Sequence, residues 1–216
     1  MRGRRIAREL LDDAGAEEAS ASLGDLRRIN RWLGGHRILP GIVRSWYQTS
    51  DFFTVLDVGA ASGDMGAALR KQFPNATVVS LDRKVRNLRT APHPKVASDA
   101  FHLPFLPASF DVVCCSLFLH HFDNDAATTL LRAMHGTARR GMVVIDLERH
   151  WMAHAFLPAT RWLFGWHPIT LHDGPVSVSA AFVPSELHDL ARRAGLPRPL
   201  VRRHYPWFRL SLVTEK

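Results

Sequence analysis

The sequence predicts a doubly wound α/β fold built on a mostly parallel sheet, with an antiparallel strand near the C-terminus. Three observations lead there. The runs ATVVSL (76–81), FDVVCCS (110–116) and GMVVIDL (141–147) are continuously apolar or small, as strands covered on both faces must be. They alternate with helical stretches. The first strand-like run, FFTVLDV (52–58), leads through the glycine-bearing turn GAASGD into a helix.

Taken in order, residues 4–20 and 23–34 read as two short amphipathic helices. Leu10 and Leu11, then Leu23, Leu26, Ile29 and Leu33, recur at helical spacing, and Gly34 and Gly35 end the second. A third helix is expected over about 38–49, opening near Pro40. After the strand at 52–58, MGAALRKQF reads as helix up to Pro74. Strand 76–81, a short helix 83–90, strands 94–98 and 110–115, helix 124–137 and strand 141–147 follow. An aromatic-rich insert then interrupts the alternation. A helix opened by Pro184, Ser185 and Glu186 and stopped by Gly195 precedes two closing strands near 199–205 and 207–214. The expected organisation is one domain over 1–216: an N-terminal helical segment (1–50), a ligand-binding core (51–147), an inserted cap (148–183) and a closing helix with strands (184–216).

Composition bounds the function. A chain of 216 residues, 46% hydrophobic and 22% charged, is globular in class and long enough for a sizeable core. The N-terminus MRGRRIARELLDD has no apolar stretch behind its charges, and no run approaches a membrane span, so neither export nor membrane insertion is expected. Cys114 and Cys115 are adjacent within a strand, where their side chains take opposite faces. That arrangement excludes a disulfide framework and suits a reducing cytoplasm. The net charge of +8 comes from 24 arginines against 4 lysines, scattered in singles and pairs. Such a skew is what GC-rich coding produces, so nucleic acid is an unlikely partner.

The chemistry begins at Asp57, Gly59, Ala60, Gly63, Asp64 and Gly66. In an open α/β sheet a ligand sits beyond the carboxyl ends of the strands, at the first crossover. A dinucleotide site needs glycines at 59, 61 and 64, but Ala61 and Asp64 stand there. The run VLDVGAASGD instead resembles motif I of class I S-adenosylmethionine-dependent methyltransferases, and the resemblance extends at motif level over about residues 52–147. It implies a Rossmann-like methyltransferase sheet with N-terminal helices and an inserted cap, S-adenosyl-L-methionine as cofactor and S-adenosyl-L-homocysteine as product. A carboxylate near the turn complements a cationic ligand. The family's motifs carry over onto Asp82 at the end of ATVVSLD, which accepts from both ribose hydroxyls, and its neighbour Arg83. They carry over equally onto Asp99, which takes the adenine amino group, with Ala100 and Phe101 against the ring and Ser116 at the end of the fourth strand.

The stretch CCSLFLHHFDND resembles small-molecule methyltransferases of the type 11 kind, which often carry a histidine pair beside the methyl group. His120 and His121 are therefore the candidate catalytic residues, as base, as pocket lining or as support for the turn, with His120 favoured and no more than one of them expected to face the pocket. No metal is expected, since the one H-x-x-x-H pair, His150 and His154, has no accompanying carboxylate motif. The insert supplies Trp151, Phe156, Trp162, Phe164 and Trp166, with His167, His172, Asp173 and Arg161, and reads as a cap over a flat apolar small-molecule acceptor. The function expected is methyl transfer to such an acceptor, by O-methylation of an aromatic or polyketide-like secondary metabolite. Two alternatives stand beside it. One is RNA methylation, against which SLFL lacks the Asn/Asp-Pro-Pro-aromatic and Pro-Cys signatures. The other is a non-catalytic binding module, for which an eroded motif I would be the mark.

Overall fold

The computed structural model describes residues 3–216. Seven strands form one sheet: β1 (Thr54–Val58), β2 (Thr77–Asp82), β3 (Lys95–Ala97), β4 (Phe110–Ser116), β5 (Ala138–Leu147), β6 (Leu200–His204) and β7 (Arg209–Glu215). Their spatial order is β3-β2-β1-β4-β5-β7-β6. The first five pair in parallel, and β7 runs antiparallel to both β5 and β6. The expected sheet is therefore present, and its order reverses beside β1, which opens a crevice at the carboxyl ends of β1 and β4.

Among the described residues seven helices pack around the sheet: α1 (Ala16–Trp32), α2 (Gly35–Val43), α3 (Asp64–Gln72), α4 (Asn124–Thr137), α5 (Trp151–Phe164), α6 (Pro168–Ala180) and α7 (Pro184–Arg193). Alternation along the central strands feeds two cores. Leu56, Val58, Val113, Cys115 and Val144 meet Leu130, Leu131 and Met134 of α4 and Leu187 of α7 on one face. Val55, Val112, Cys114, Val143 and Ile145 meet α2 and α3 through Leu39, Val43, Met65 and Leu69 on the other. The two free cysteines thus lie in opposite cores, as strand geometry requires.

The N-terminal segment differs from the sequence expectation. Residues 4–15 are not an α-helix: the chain is irregular up to a single 3₁₀ turn at Leu10–Asp12, and one helix, α1, then takes in the end of the first expected helix and most of the second. Tertiary hydrogen bonds outcompete helix formation there. The amides of Leu10 and Leu11 donate to the two carboxylate oxygens of Asp173 at 2.9 Å each. Arg4 is drawn away from its neighbours to donate to the carbonyls of Ala180, His120 and Phe122. The third helix starts earlier than expected and ends at Val43, because Gly34 takes a left-handed conformation (φ +78°) that lets the chain turn directly from α1 into α2. The helix expected at 83–90 reduces to a 3₁₀ turn at Asn87–Thr90. The insert after β5 forms α5 and α6, the first opened by the His150 side chain accepting from the Met152 amide and closed by left-handed Gly165.

Candidate functional site

A cavity of about 620 Å³ opens at the carboxyl ends of the strands. The turn after β1 and the ends of β2 and β3 form one wall. The segment after β4 forms the floor, α1 supplies Leu23, Leu26, Ile29 and Leu33, and α5 and α6 close the far side.

The glycine turn divides its residues between cavity and scaffold. Gly59 lines the cavity with φ +69°, and the Phe118 ring stands 2.5 Å from where a Cβ would project, so only glycine fits. Ala60 is buried behind it with its amide on the Leu81 carbonyl, and Gly63 caps α3 against Ala91 and Pro92. Asp57 does not reach the cavity. Its buried carboxyl faces the α3 side, near Gly66 and the Cys114 thiol, and one of its oxygens has no partner. Burial, reinforced by the neighbouring charge of Asp64, pushes its pKa up to about 7. Asp64 also points away from the cavity, accepting from Asn30 at 3.0 Å and bonding His36 at 2.8 Å. Burial opposes its charge, yet those bonds hold its pKa below the usual carboxylate value. Asn30 in turn accepts from the fully buried Arg209. This network fastens α1 and α2 to the first turn through Asp64.

The later motif residues line the cavity. At the end of β2, Asp82 accepts from the amides of Ala61 (3.0 Å) and Lys84 (2.8 Å) and from Asn87 (3.3 Å). A carboxylate offers about four acceptor positions, so about one remains for a ligand hydroxyl, and two ribose hydroxyls cannot both be served without displacing a donor. Exposed Arg83 stands next to it. After β3, Asp99, Ala100 and Phe101 all line the cavity, with the Asp99 carboxylate receiving the Phe101 amide at 3.0 Å. Ser116 lies outside it, its hydroxyl buried and unpaired.

Both histidines line the cavity, contrary to the expectation that adjacent residues diverge. They sit in a 3₁₀ turn, Leu119–His121, where consecutive side chains do not alternate as in a strand, and their rings lie 4.3 Å apart. His120 is buried. Its amide donates to one oxygen of Asp146 at 3.0 Å, and its Nδ1 pairs with the other at 2.6 Å. Burial disfavours an imidazolium there, but the Asp146 charge and hydrogen bond, with Glu9 adding, outweigh it and raise the His120 pKa. Nε2 has no hydrogen-bond partner and lies 3.9 Å from Glu9 Oε1. The same Glu9 oxygen is 3.9 Å from His121 Nδ1 and accepts from the Ser177 hydroxyl. Burial raises the Glu9 pKa in spite of the nearby imidazole. His121, packed in the wall with about a third of its side chain (35%) open, is held below the usual imidazole range by burial and by His120.

Sequence reasoning missed Glu9 and Asp146. Asp146 left a signal, a carboxylate inside the apolar run GMVVIDL; Glu9 left none, because it reaches the site through the strap that was read as helix. The cap also differs from expectation. Of the insert's aromatics, Phe156 lines the cavity, Trp166 and Phe164 pack on Trp32 of α1, and Trp151 and Trp162 face outward. Leu23, Leu26 and Ile29 of α1 and Leu157 of α5 line the cavity together with the aromatic rings of Phe118, Phe122, Trp207 and Phe208 from outside the insert.

Comparison with known proteins places this arrangement. Residues 55–141 match a family described as a methyltransferase domain. The malonyl-[acyl-carrier protein] O-methyltransferase of Dechloromonas aromatica is 30% identical over 174 residues, which is 75% of this chain and 60% of that protein. The chain thus spans less than two thirds of that relative. The demethylmenaquinone methyltransferase of Roseiflexus sp. is 28% identical over 78% of this chain and 83% of its own. Among solved structures, magnesium protoporphyrin IX methyltransferase from Synechocystis PCC 6803, with bound S-adenosylhomocysteine, superposes with a TM-score of 0.60 at 14% identity, covering 91% of this chain and 95% of that one.

Proposed function

We propose that the chain is a class I S-adenosylmethionine-dependent methyltransferase and that it methylates a small-molecule acceptor, by O-methylation of an aromatic or polyketide-like metabolite. The observation carrying this reading is the buried His120 and Asp146 pair, with His120 lining a cavity that also contains Asp82 and Asp99 and its Nε2 free of any hydrogen-bond partner.

The residues fit the cofactor. Carboxylates stand at two successive strand ends, Phe101 offers a face for a base, and the bare backbone at Gly59 admits a close approach. Asp82 would take a ribose hydroxyl and Asp99 the adenine amino group, with Ala100 and Phe101 beside the ring. When bound, S-adenosylmethionine supplies an electrophilic methyl group on a sulfonium. The protein's part is mainly position: holding acceptor and methyl in register is worth on the order of 7–11 kcal/mol, against roughly 3–5 kcal/mol for a general base. His120 is that base. Asp146 fixes Nδ1 as the protonated nitrogen, which leaves Nε2 to receive the acceptor's proton beside Glu9. His121, with its lowered pKa, orients the acceptor or lines the wall.

The acceptor class follows from the walls. A cavity of this size lies within the range of about 300–1,000 Å³ usual for small-molecule sites, and its aliphatic and aromatic lining suits a flat apolar compound over a polynucleotide. Two relatives named for O-methylation and for a quinone precursor lend support. The test is calorimetry followed by labelling. S-adenosylhomocysteine should bind and NADH should not, Asp82→Ala should weaken binding by at least about tenfold, and methyl-labelled cofactor should mark a small phenolic or polyketide product in cell extract. NADH binding without S-adenosylhomocysteine binding, or label entering tRNA or rRNA at comparable rates, would overturn the proposal.

A further inference from the structure

Helix α5 has two apolar faces, and only one of them is used within the fold. Ala153, Phe156 and Leu157 line the cavity. On the opposite side Trp151, Met152, Ala155, Pro158, Ala159, Trp162 and Leu163 are exposed. At about 100° per residue these positions fall within an arc of about 140°. Trp162 is 86% exposed, Leu163 76% and Trp151 67%, which a helix with solvent as its only neighbour does not require. Trp32, 49% exposed at the end of α1, extends the surface past Phe164, whose ring lies 5.4 Å away.

The two chain segments that carry this surface hold basic residues and no acidic ones. From Arg149 to His172 there is no aspartate or glutamate, and none from Leu26 to Arg37. Arg161 lies over the Trp162 ring at 4.5 Å, and Arg31, the chain neighbour of Trp32, is exposed, as is Arg37. Exposed tryptophans and aliphatic side chains with arginines next to them match an anionic lipid bilayer, where indoles settle at the headgroup level and arginines meet phosphate. No helix among the described residues is long and apolar enough to cross a membrane, so the contact available is one in the plane of the surface.

We propose that the outer face of α5 docks on anionic membrane and that the acceptor is lipid-soluble, passing from the bilayer to the cavity on the inner side of the same helix. The second part deepens the small-molecule reading above and rests on it; the docking stands on the surface alone.

The experiment is co-sedimentation of the intact protein with phosphatidylcholine vesicles, with and without phosphatidylglycerol. Binding is expected to the mixed vesicles and to be much weaker to pure phosphatidylcholine. Trp162→Glu combined with Leu163→Glu should reduce partitioning by at least about tenfold, whereas Trp162→Phe with Leu163→Ile should retain it. Both side chains are mostly exposed, so the melting temperature and S-adenosylhomocysteine affinity should not change in either variant. Absence of binding to the anionic vesicles, or equal binding by the glutamate variant, overturns docking. So does light scattering that shows a dimer which the glutamate variant dissolves, since a second copy would then cover the face. A failure of docking is distinguishable from a failure of the methyltransferase reading, because vesicle binding needs no cofactor and cofactor binding needs no vesicles.

Discussion

Replacing Asp146 by asparagine isolates the contribution of one charge to the proposed base. The carboxylate is fully buried and holds His120 twice, through its amide at 3.0 Å and through Nδ1 at 2.6 Å. Asparagine keeps the shape and one carbonyl acceptor but loses the charge, so the imidazole is no longer fixed with its proton on Nδ1, and the imidazolium formed during turnover keeps only the more distant Glu9 as a counterion. A positioned base is worth about 10²- to 10⁴-fold, and turnover should fall by that order while S-adenosylhomocysteine affinity holds. The pH profile gives the sharper readout. Asp146 and Glu9 raise the His120 pKa, so the acidic limb of kcat/KM should lie above about pH 6.5, the ordinary imidazole value. In Asp146→Asn, burial acts with less compensation, and the limb should move to lower pH as the plateau falls. Asp146→Ala is the poorer probe. It strips the acceptor from the amides of His120 and Leu147 and leaves a buried imidazole unpaired, at a cost of about 3–5 kcal/mol in stability. An unchanged limb, or a plateau within about tenfold of wild type, would mean that His120 is not the base and that position alone carries the reaction.

Other substitutions test the scaffold. Asp57 has its pKa raised to about 7 by burial, so the folded state binds its proton more tightly than the unfolded state and stability drops as pH rises from about 4 to 7. Asp57→Asn should therefore gain melting temperature relative to wild type above pH 7 and lose that advantage near pH 4, in paired thermal scans; a pH-independent difference would refute the buried-acid assignment. At Gly59 a Cβ would meet the Phe118 ring in a left-handed backbone, so Gly59→Val should lower both stability and cofactor affinity by more than Asp82→Ala lowers affinity, measured by calorimetry. Gly174 of α6 packs its backbone onto Leu157 of α5. Gly174→Ala should cost about 1–3 kcal/mol from overpacking, and denaturant titration without loss would show that the two helices are free to separate.

Much of the fold was legible in the chain because its signals are local. Continuous apolar runs mark buried parallel strands, and a turn without the dinucleotide glycines marks the crossover, so β1, β2, β4 and β5 and helices α3, α4 and α7 lie close to where pattern places them. The order of motif residues along strand ends likewise put Gly59, Asp82, Asp99, Ala100 and Phe101 at one cavity. What pattern could not decide was direction and partnership. Asp57 and Asp64 carry the motif's chemistry, yet one turns under α3 and the other is taken by Asn30 and His36, contacts between segments some thirty residues apart. Residues 4–12 have helical spacing but surrender it to hydrogen bonds from Arg4 to α6 and from the Leu10 and Leu11 amides to Asp173, across more than 160 residues of chain. That strap delivers Glu9 to the two histidines, and β5 delivers Asp146. Spacing along a sequence determines which face of an element a side chain takes. Which distant group meets it there is decided only when burial forces each polar atom to find a partner.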